Sequence, residues 1–379
     1  MKHEQIIDCD GHLLEAPDLW QRYLEGDLKN KAPRLVKDRK GDTRILLEGR
    51  LYPQVEGKGK GFPGLPEAWY KVDPSGRVTH EEVILPAMRL KAMDTEGIDI
   101  AVPFPTLGLY VVDAREPDLN IAICRAYNDW LKKEYLSVDP RRLVGIAMIT
   151  LRDVGAAVKE LRRAVTELGF KGAYLRPNPV GGRTLDDPAY DPLYAEAQSL
   201  GVPLMFHEGT DGQLPTAGLD RYDNFFMTHA ISHPFEQMLA ALSIIAGGVL
   251  ERFPRLKVAF LESGCAWLPF WLHRMDEHYE KRAHEVPWLT MEPSHYFRRQ
   301  CMISCDPDEA TIPSVVNYIG EDYVCWASDY PHWDAIFPGA VEELRKHMSG
   351  LSETAQRKVL GENARRFLGL DVGAAGGGR

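Results

Sequence analysis

The sequence lacks the features that mark several large classes of protein. Its 379 residues include only six cysteines and no Cys-x-x-Cys pair, which disfavours both a cysteine-bound zinc site and a disulfide framework. No apolar run reaches the roughly 18 residues of a membrane-spanning helix, and no apolar stretch of the kind found in signal peptides follows the N-terminus. These absences predict a cytosolic protein with buried, reduced thiols.

A basic surface is missing as well. The 45 lysines and arginines are outnumbered by 55 aspartates and glutamates, which gives a formal net charge of −10 spread along the chain. Such a protein is a poor match for the phosphates of nucleic acid or of an anionic membrane. The composition therefore predicts a small-molecule ligand, with neither nucleic acid nor membrane as a partner.

Short apolar runs alternate with longer amphipathic stretches through most of the chain, which is typical of repeated strand–helix units around a parallel sheet. No Gly-x-Gly-x-x-Gly loop follows the first run, which disfavours an open dinucleotide-binding sheet. We therefore predict an α/β fold, specifically a distorted (β/α)8 TIM barrel. Its eight strands are predicted at residues 6–9, 98–104, 143–149, 172–175, 202–206, 256–261, 301–304 and 323–327.

Residues 17–80 interrupt this alternation, because they are rich in glycine, proline and charge. We interpret them as an insertion after the first strand that shapes the pocket. Residues 352–370 have the pattern of a capped C-terminal helix, whereas residues 371–379 are glycine-rich and predict a flexible tail. The chain is thus expected to form one domain over residues 1–370.

Side chains that bind metals stand at the C-terminal ends of four predicted strands. Asp10 and His12 follow the first strand, and their i, i+2 spacing directs both to one side of an extended chain. His207, Glu262 and Asp329 end the fifth, sixth and eighth strands. Each residue alone also fits a helix cap, a core histidine or a turn. Because strand ends converge in a barrel, together they predict one divalent metal, with Zn²⁺ preferred and Mn²⁺ or Fe²⁺ as alternatives.

Four stretches, taken in order, carry a family resemblance. They are residues 8–12 (Asp-Cys-Asp-Gly-His), 206–207 (Phe-His), 247–258 and 328–332 (Ser-Asp-Tyr-Pro-His). The series resembles the amidohydrolase superfamily, in the branch that includes aminocarboxymuconate semialdehyde decarboxylase and related aromatic-acid decarboxylases. The resemblance implies a homodimer, and it implies a metal bound by Asp10, His12, His207 and Asp329.

The sequence departs from this family pattern at two positions. Asp10 stands where the family usually has a histidine or a glutamate, and Glu262 stands where its decarboxylases place a catalytic histidine. A carboxylate at that second position suits a general base acting on metal-bound water. The first hypothesis is therefore a hydrolase of an ester, amide or thioester, with Asp329 or Glu262 accepting the proton. Nonoxidative decarboxylation of an aromatic or unsaturated acid, which the resemblance favours, and a non-catalytic ligand-binding barrel are the alternatives.

Three further residues are candidates for the site. His233 lies at a predicted helix start and is expected to act as acid, base or ligand, with a capping role as the alternative. His229 precedes it and is a candidate substrate contact. Arg176 ends the fourth strand and is expected to bind a substrate carboxylate, or else to form a salt bridge with Glu208 or Glu262. A second metal ion bridged by Glu262 also stays open.

Overall fold

The computed structural model describes residues 4–54, 84–209 and 214–370. Each of the eight predicted strands has a counterpart there, and three further strands lie in the described part of the predicted insertion. The rest of that insertion and the predicted tail lie outside the described residues. The strands are β1 (Ile7–Leu13), β2 (Arg34–Lys37), β3 (Thr43–Leu47), β4 (Arg50–Tyr52), β5 (Ile100–Pro105), β6 (Ala147–Met148), β7 (Ala173–Leu175), β8 (Leu204–His207), β9 (Val258–Leu261), β10 (Cys301–Cys305) and β11 (Val324–Trp326).

The strands form three sheets. Strands β6 to β11 pair in sequence order as one six-stranded parallel sheet, whereas β1 and β5 form a two-stranded parallel sheet. Strands β2, β3 and β4 form a small antiparallel sheet. Parallel strands alternating with helices confirm the predicted α/β class. The predicted barrel is not one continuous ladder of eight strands, however, because two seams separate the parallel sheets.

Backbone hydrogen bonds cross both seams. A single bridge joins β5 to the chain just ahead of β6. At the other seam, His12 N donates to Tyr330 O at 2.8 Å and Asp329 N donates to Asp10 O at 3.0 Å. Regular pairing stops there because Asp329 has a left-handed backbone conformation, with a φ of 53°, which is outside the range of a strand. This seam brings the first and last parallel strands together at the edge that carries the predicted ligands.

Asp8 in β1 forms hydrogen bonds with the segment that follows β11. Its carboxylate accepts hydrogen bonds from Ser328 N at 3.0 Å, from Ser328 Oγ at 2.7 Å and from Arg89 Nη2 at 2.8 Å. Arg89 also donates to Tyr330 O at 2.8 Å. Asp8 is 0% exposed and Arg89 is 3% exposed, so water does not screen this ion pair. The network positions the segment that contains Asp329.

Replacing Arg89 with alanine is expected to lower the free energy of unfolding by about 3–5 kcal/mol, because Asp8 would stay buried without its cation. The control is Arg282→Ala, which removes an exposed pair with Glu285 and should cost less than about 1 kcal/mol. Chemical denaturation followed by circular dichroism measures both effects. Equal effects for the two variants would show that the Asp8 network does not hold the fold.

Helices follow the strands, and local signals set their ends. Asp153 caps Val154–Thr166 by accepting a hydrogen bond from Ala156 N, and Gly201 ends Asp191–Leu200 with a φ of 70°, a left-handed conformation that glycine adopts readily. The other α-helices in the described ranges are Leu19–Tyr23, Pro86–Glu96, Gly108–Val111, Pro117–Trp130, Phe225–Ala246, Val249–Arg252, Trp267–Arg282, Pro293–Gln300, Ile312–Ile319, Ala340–His347, Glu353–Arg357 and Asn363–Leu368.

The predicted C-terminal helix is present in three joined segments. Glu353–Arg357 is capped by Ser352, a π-helical turn follows at Lys358–Glu362, and Asn363–Leu368 completes the helix. All six cysteines are buried and free, as predicted. Among the described helices, none is both long and apolar enough to span a bilayer.

One helix begins earlier than the sequence predicts. His233 is predicted at a helix start, but the helix runs over Phe225–Ala246, with Asn224 as its N-cap and Pro234 in its interior. The continuous hydrogen bonding on both sides outweighs the single donor that the proline lacks. His229 and His233 therefore lie one turn apart on the same helix, which places both beside the strand ends.

Candidate metal centre

Six ligand side chains from four chain segments gather at the C-terminal edge of the parallel strands. They are Asp10, His12, His207, Glu262, Asp329 and His332. They form two overlapping groups of four, in each of which the ligand atoms lie within 4.8 Å of one another. His12 and Glu262 belong to both groups. The structure thus brings together all of the predicted ligands.

Two histidines turn the same ring nitrogen toward the centre of the cluster. Nδ1 of His12 lies 2.9 Å from Pro105 O, and Nδ1 of His207 lies 2.6 Å from Glu208 O. A carbonyl oxygen can only accept, so each Nδ1 carries a proton and each neutral ring keeps its lone pair on Nε2. The two Nε2 atoms lie 3.0 Å apart, close enough for both to bind one cation.

Three carboxylates surround these nitrogens. Glu262 Oε2 lies 2.9 Å from His12 Nε2 and contacts His207 Nε2. Asp329 Oδ1 lies 3.4 Å from His12 Nε2, and Asp10 Oδ1 lies 3.4 Å from His207 Nε2. Within the described residues, neither oxygen of Asp10 has a hydrogen-bond partner, although its side chain is only 2% exposed. A buried carboxylate in that state is costly unless a cation binds it, so the donor set fits a divalent metal.

The pKa values reflect this concentration of negative charge. Burial raises the pKa of Asp10 and, together with the nearby charge of Glu262, raises that of Asp329 well above its usual value. Burial opposes ionisation of Glu262 too, but His207 and His12 outweigh it and hold its pKa well below the usual range. Although burial lowers the pKa of His207, Glu262 and Asp10 raise it well above its usual value. A divalent ion would take the place of the His207 proton.

Two of the site carboxylates sit on an unusual backbone. Glu262, directly after β9, has a φ of 48°, and Asp329, just beyond β11, has a φ of 53°. Residues other than glycine rarely adopt this left-handed conformation, which costs about 1–3 kcal/mol and is concentrated at functional sites. The conformation turns both side chains away from the strand direction and toward the histidines.

His332 lies directly against Asp329. Its Nδ1 lies 2.7 Å from Asp329 Oδ1, and its Nε2 lies 3.1 Å from Thr106 Oγ1. The imidazole also stacks on His12, with ring centroids 3.9 Å apart and planes inclined by 28°. His332 therefore lies beside two of the predicted ligands, Asp329 and His12.

A cavity of about 460 Å³ adjoins the cluster and is partly lined by His229, His233, Glu262 and Asp329. His233 Nε2 lies 3.3 Å from Glu262 Oε1, and its Nδ1 lies 3.0 Å from Ser232 Oγ. Burial, followed by the neighbouring His233, lowers the pKa of His229 to about 4. His233 therefore contacts the carboxylate of Glu262, a predicted catalytic residue, at the wall of the cavity.

The sequence matches a known protein family and several related enzymes. The amidohydrolase family model matches residues 7–370. The chain belongs to the amidohydrolase family. Over 288 residues it is 30% identical to the 2-amino-3-carboxymuconate-6-semialdehyde decarboxylase of Dictyostelium discoideum, which covers 76% of this chain and 77% of that protein. This amidohydrolase is thus an enzyme with hydrolase or carboxy-lyase activity, and its curated relative favours decarboxylation over the hydrolysis placed first by the sequence argument.

Solved structures share the fold. An amidohydrolase from Mycobacterium avium subsp. paratuberculosis matches with a TM-score of 0.80 at 24% identity, covering 98% of this chain and 100% of that one. A dihydroxybenzoic acid decarboxylase from Polaromonas sp., solved with bound manganese, matches with a TM-score of 0.67 at 19% identity, covering 97% and 98%. The side-chain cluster supports a divalent metal in this amidohydrolase, and zinc stays a prediction.

The guanidinium of Arg176 in this amidohydrolase donates its hydrogen bonds to acceptors within the protein. Its Nη2 lies 2.8 Å from Glu208 Oε1, and the guanidinium also donates to the carbonyl oxygens of Gly209 and Leu109. The Arg176 side chain is 2% exposed. The structure therefore contains the salt bridge with Glu208 that the sequence left open as an alternative, and a role in substrate binding stays a prediction.

Asp306 of this amidohydrolase is a further cavity residue that is not among the predicted site residues. This residue directly follows β10 and lines the cavity, as Glu262 follows β9. Burial, with Glu309 and Glu262 nearby, raises the pKa of Asp306 well above its usual value. The available signal was the one that identified the ligands, namely a carboxylate at the C-terminal end of a strand.

Proposed function

We propose that this amidohydrolase catalyses the nonoxidative decarboxylation of an aromatic or unsaturated carboxylic acid. The observation that carries the proposal is the 30% identity to a decarboxylase over 76% of the chain. The eight parallel strands are proposed to act as a distorted TIM barrel, with the active site at the C-terminal strand ends. The cavity beside the ligand cluster supports this placement.

The proposed metal site contains one divalent ion. Asp10, His12, His207 and Asp329 would hold it, and the mixed nitrogen and oxygen donors suit Mn²⁺ as well as Zn²⁺. When bound, the ion supplies Lewis-acid polarisation and offsets the charge of the substrate carboxylate. Elemental analysis after purification with either metal supplied should find about one equivalent, whereas less than about a tenth would favour the non-catalytic barrel.

Loss of CO₂ breaks a carbon–carbon bond, and the electron pair left on carbon must take up a proton. His233 is the proposed donor because it lines the cavity and its Nε2 lies 3.3 Å from Glu262 Oε1. Glu262 is thereby placed to orient the imidazole toward the cavity. Asp329 is the second candidate for this proton. His229, one helical turn from His233, is proposed to contact the substrate.

The test uses hydroxybenzoates and activated esters in parallel, with the metal-loaded protein in deuterated water. We expect CO₂ release from a hydroxybenzoate, with one deuterium incorporated at the carbon that loses the carboxylate. Ester hydrolysis without CO₂ release would overturn the proposal and restore the hydrolase hypothesis. Neither reaction in metal-loaded protein would favour the ligand-binding barrel. The homodimer, the cytosolic location and the single domain over residues 1–370 stay predictions.

A further inference from the structure

Glu15 lies just beyond β1, and its carboxylate binds the turn that follows β5. Its Oε2 accepts hydrogen bonds from Thr106 N at 3.3 Å and from Leu107 N at 2.8 Å. Its Oε1 accepts a third from Gly108 N at 2.7 Å. Glu15 is 0% exposed, so water does not screen these charge-assisted bonds. One side chain thus binds three successive backbone groups of the turn.

The same turn contacts the metal cluster at two points. Pro105 O, at the end of β5, lies 2.9 Å from His12 Nδ1. Thr106 Oγ1 lies 3.1 Å from His332 Nε2. The first contact leaves the lone pair of the neutral His12 ring on Nε2, the atom that faces the other ligands. Because Glu15 follows His12 by three residues, one short segment binds the turn through both a carboxylate and an imidazole.

The turn is closely packed against its neighbours. A methyl group added at Gly108 would lie 2.6 Å from Pro105 Cβ, 3.0 Å from Met148 Sδ and 3.1 Å from Glu15 Oε1. Packed side chains do not tolerate such short distances without a shift. A displacement at Gly108 would therefore move Pro105, and the position of Pro105 O sets the direction of the His12 ring.

We propose that Glu15 is a positioning residue of the metal centre, which acts through residues 105–108 to fix the ring of His12. This role rests on the proposed metal site and not on the proposed decarboxylation. Contacts that orient a ligand histidine typically contribute about 10–100-fold to metal affinity. A purely structural carboxylate would leave the metal centre unchanged, because the pairing of β1 with β5 would position Pro105 by itself.

The test is a titration of the metal-free, full-length protein with cobalt chloride, because the visible absorption of Co²⁺ depends on the geometry of its ligands. Glu15→Gln keeps the size of the side chain but replaces one acceptor oxygen with an amide group that cannot accept. We expect this variant to bind Co²⁺ about 10–100-fold more weakly and with an altered absorption spectrum.

The matched control is Glu48→Gln. Glu48 accepts hydrogen bonds from Arg115 N at 2.9 Å and from Glu116 N at 2.7 Å, just ahead of helix Pro117–Trp130. Its substitution makes the same chemical change at a carboxylate that binds successive backbone groups elsewhere, and it should alter neither the affinity nor the spectrum.

An unchanged affinity and spectrum in folded Glu15→Gln would overturn the positioning role, and so would equal losses in the control. Gly108→Ala is the second variant, because its methyl group displaces the same turn while the carboxylate remains. If Glu15→Gln does not fold, Gly108→Ala should show the weaker binding and the altered spectrum, and an unchanged centre would overturn the role.

Absence of Co²⁺ binding by the unsubstituted protein would overturn the proposed metal centre together with the role of Glu15. Because the titration contains no substrate, a failure of the proposed decarboxylation leaves this test intact.

Discussion

Replacing His207 with alanine is expected to abolish tight metal binding and to lower the catalytic rate by about 10³-fold or more. Its Nε2 lies 3.0 Å from that of His12 and contacts Glu262, so the substitution removes a nitrogen from the centre of the cluster. Stabilisation of developing charge by a metal ion contributes several kcal/mol, and each 1.36 kcal/mol corresponds to about a factor of ten in rate.

Metal content after dialysis and CO₂ release from the best hydroxybenzoate measure the two effects of His207→Ala. The control is His273→Ala, which removes an exposed histidine from helix Trp267–Arg282 and should change neither quantity. Circular dichroism checks that both variants fold. If His207→Ala kept one equivalent of metal and its activity, the cluster around His12 would not be the metal centre.

Replacing Glu262 with glutamine is expected to lower kcat by about 10²–10⁴-fold while the tight metal ion stays bound. The amide has nearly the same size but replaces the charged oxygen that lies 3.3 Å from His233 Nε2. Tight binding should persist because Asp10, His12, His207 and Asp329 are unchanged. His207 and His12 overcome the effect of burial and hold the pKa of Glu262 well below its usual range. The carboxylate is therefore ionised across the working pH range, and the variant should lose activity at every pH rather than shift one limb of the profile.

Three measurements decide the role of Glu262: kcat, metal content and the pH profile. Asp308→Asn serves as the control for a charge removed from the same cavity. A parallel loss of metal and activity in Glu262→Gln would make this carboxylate a required ligand instead of a partner in proton transfer. An unchanged kcat would remove it from the mechanism altogether.

Much of this site could be predicted because its residues obey a local rule. Each predicted parallel strand is a short apolar run, and a ligand side chain at the C-terminal end of such a run must reach one edge of the sheet. Asp10, His12, His207, Glu262 and Asp329 meet there. Asp306 obeys the same rule at β10, so its position was predictable from the sequence in the same way.

Other features had no local signal. Pro234 suggested a helix start, but Asn224 begins the helix nine residues before His233 is reached, because hydrogen bonding along a long helix outweighs one missing donor. The seam between β1 and β11 depends on contacts between distant parts of the chain, such as Asp8 with Ser328. The left-handed backbone of Glu262 and Asp329 likewise depends on their surroundings.

The sequence by itself therefore determined the α/β class, the strands, the family and the ligand types, because apolar periodicity and side-chain chemistry are local properties. The tertiary structure alone decided which atoms meet. It placed one carboxylate oxygen of Glu262 against His207 in the ligand cluster and the other against His233. It also paired Arg176 with Glu208. Those contacts arise from the packing of segments far apart in the chain, where small changes in backbone direction decide whether a charged group meets a ligand, a salt-bridge partner or solvent.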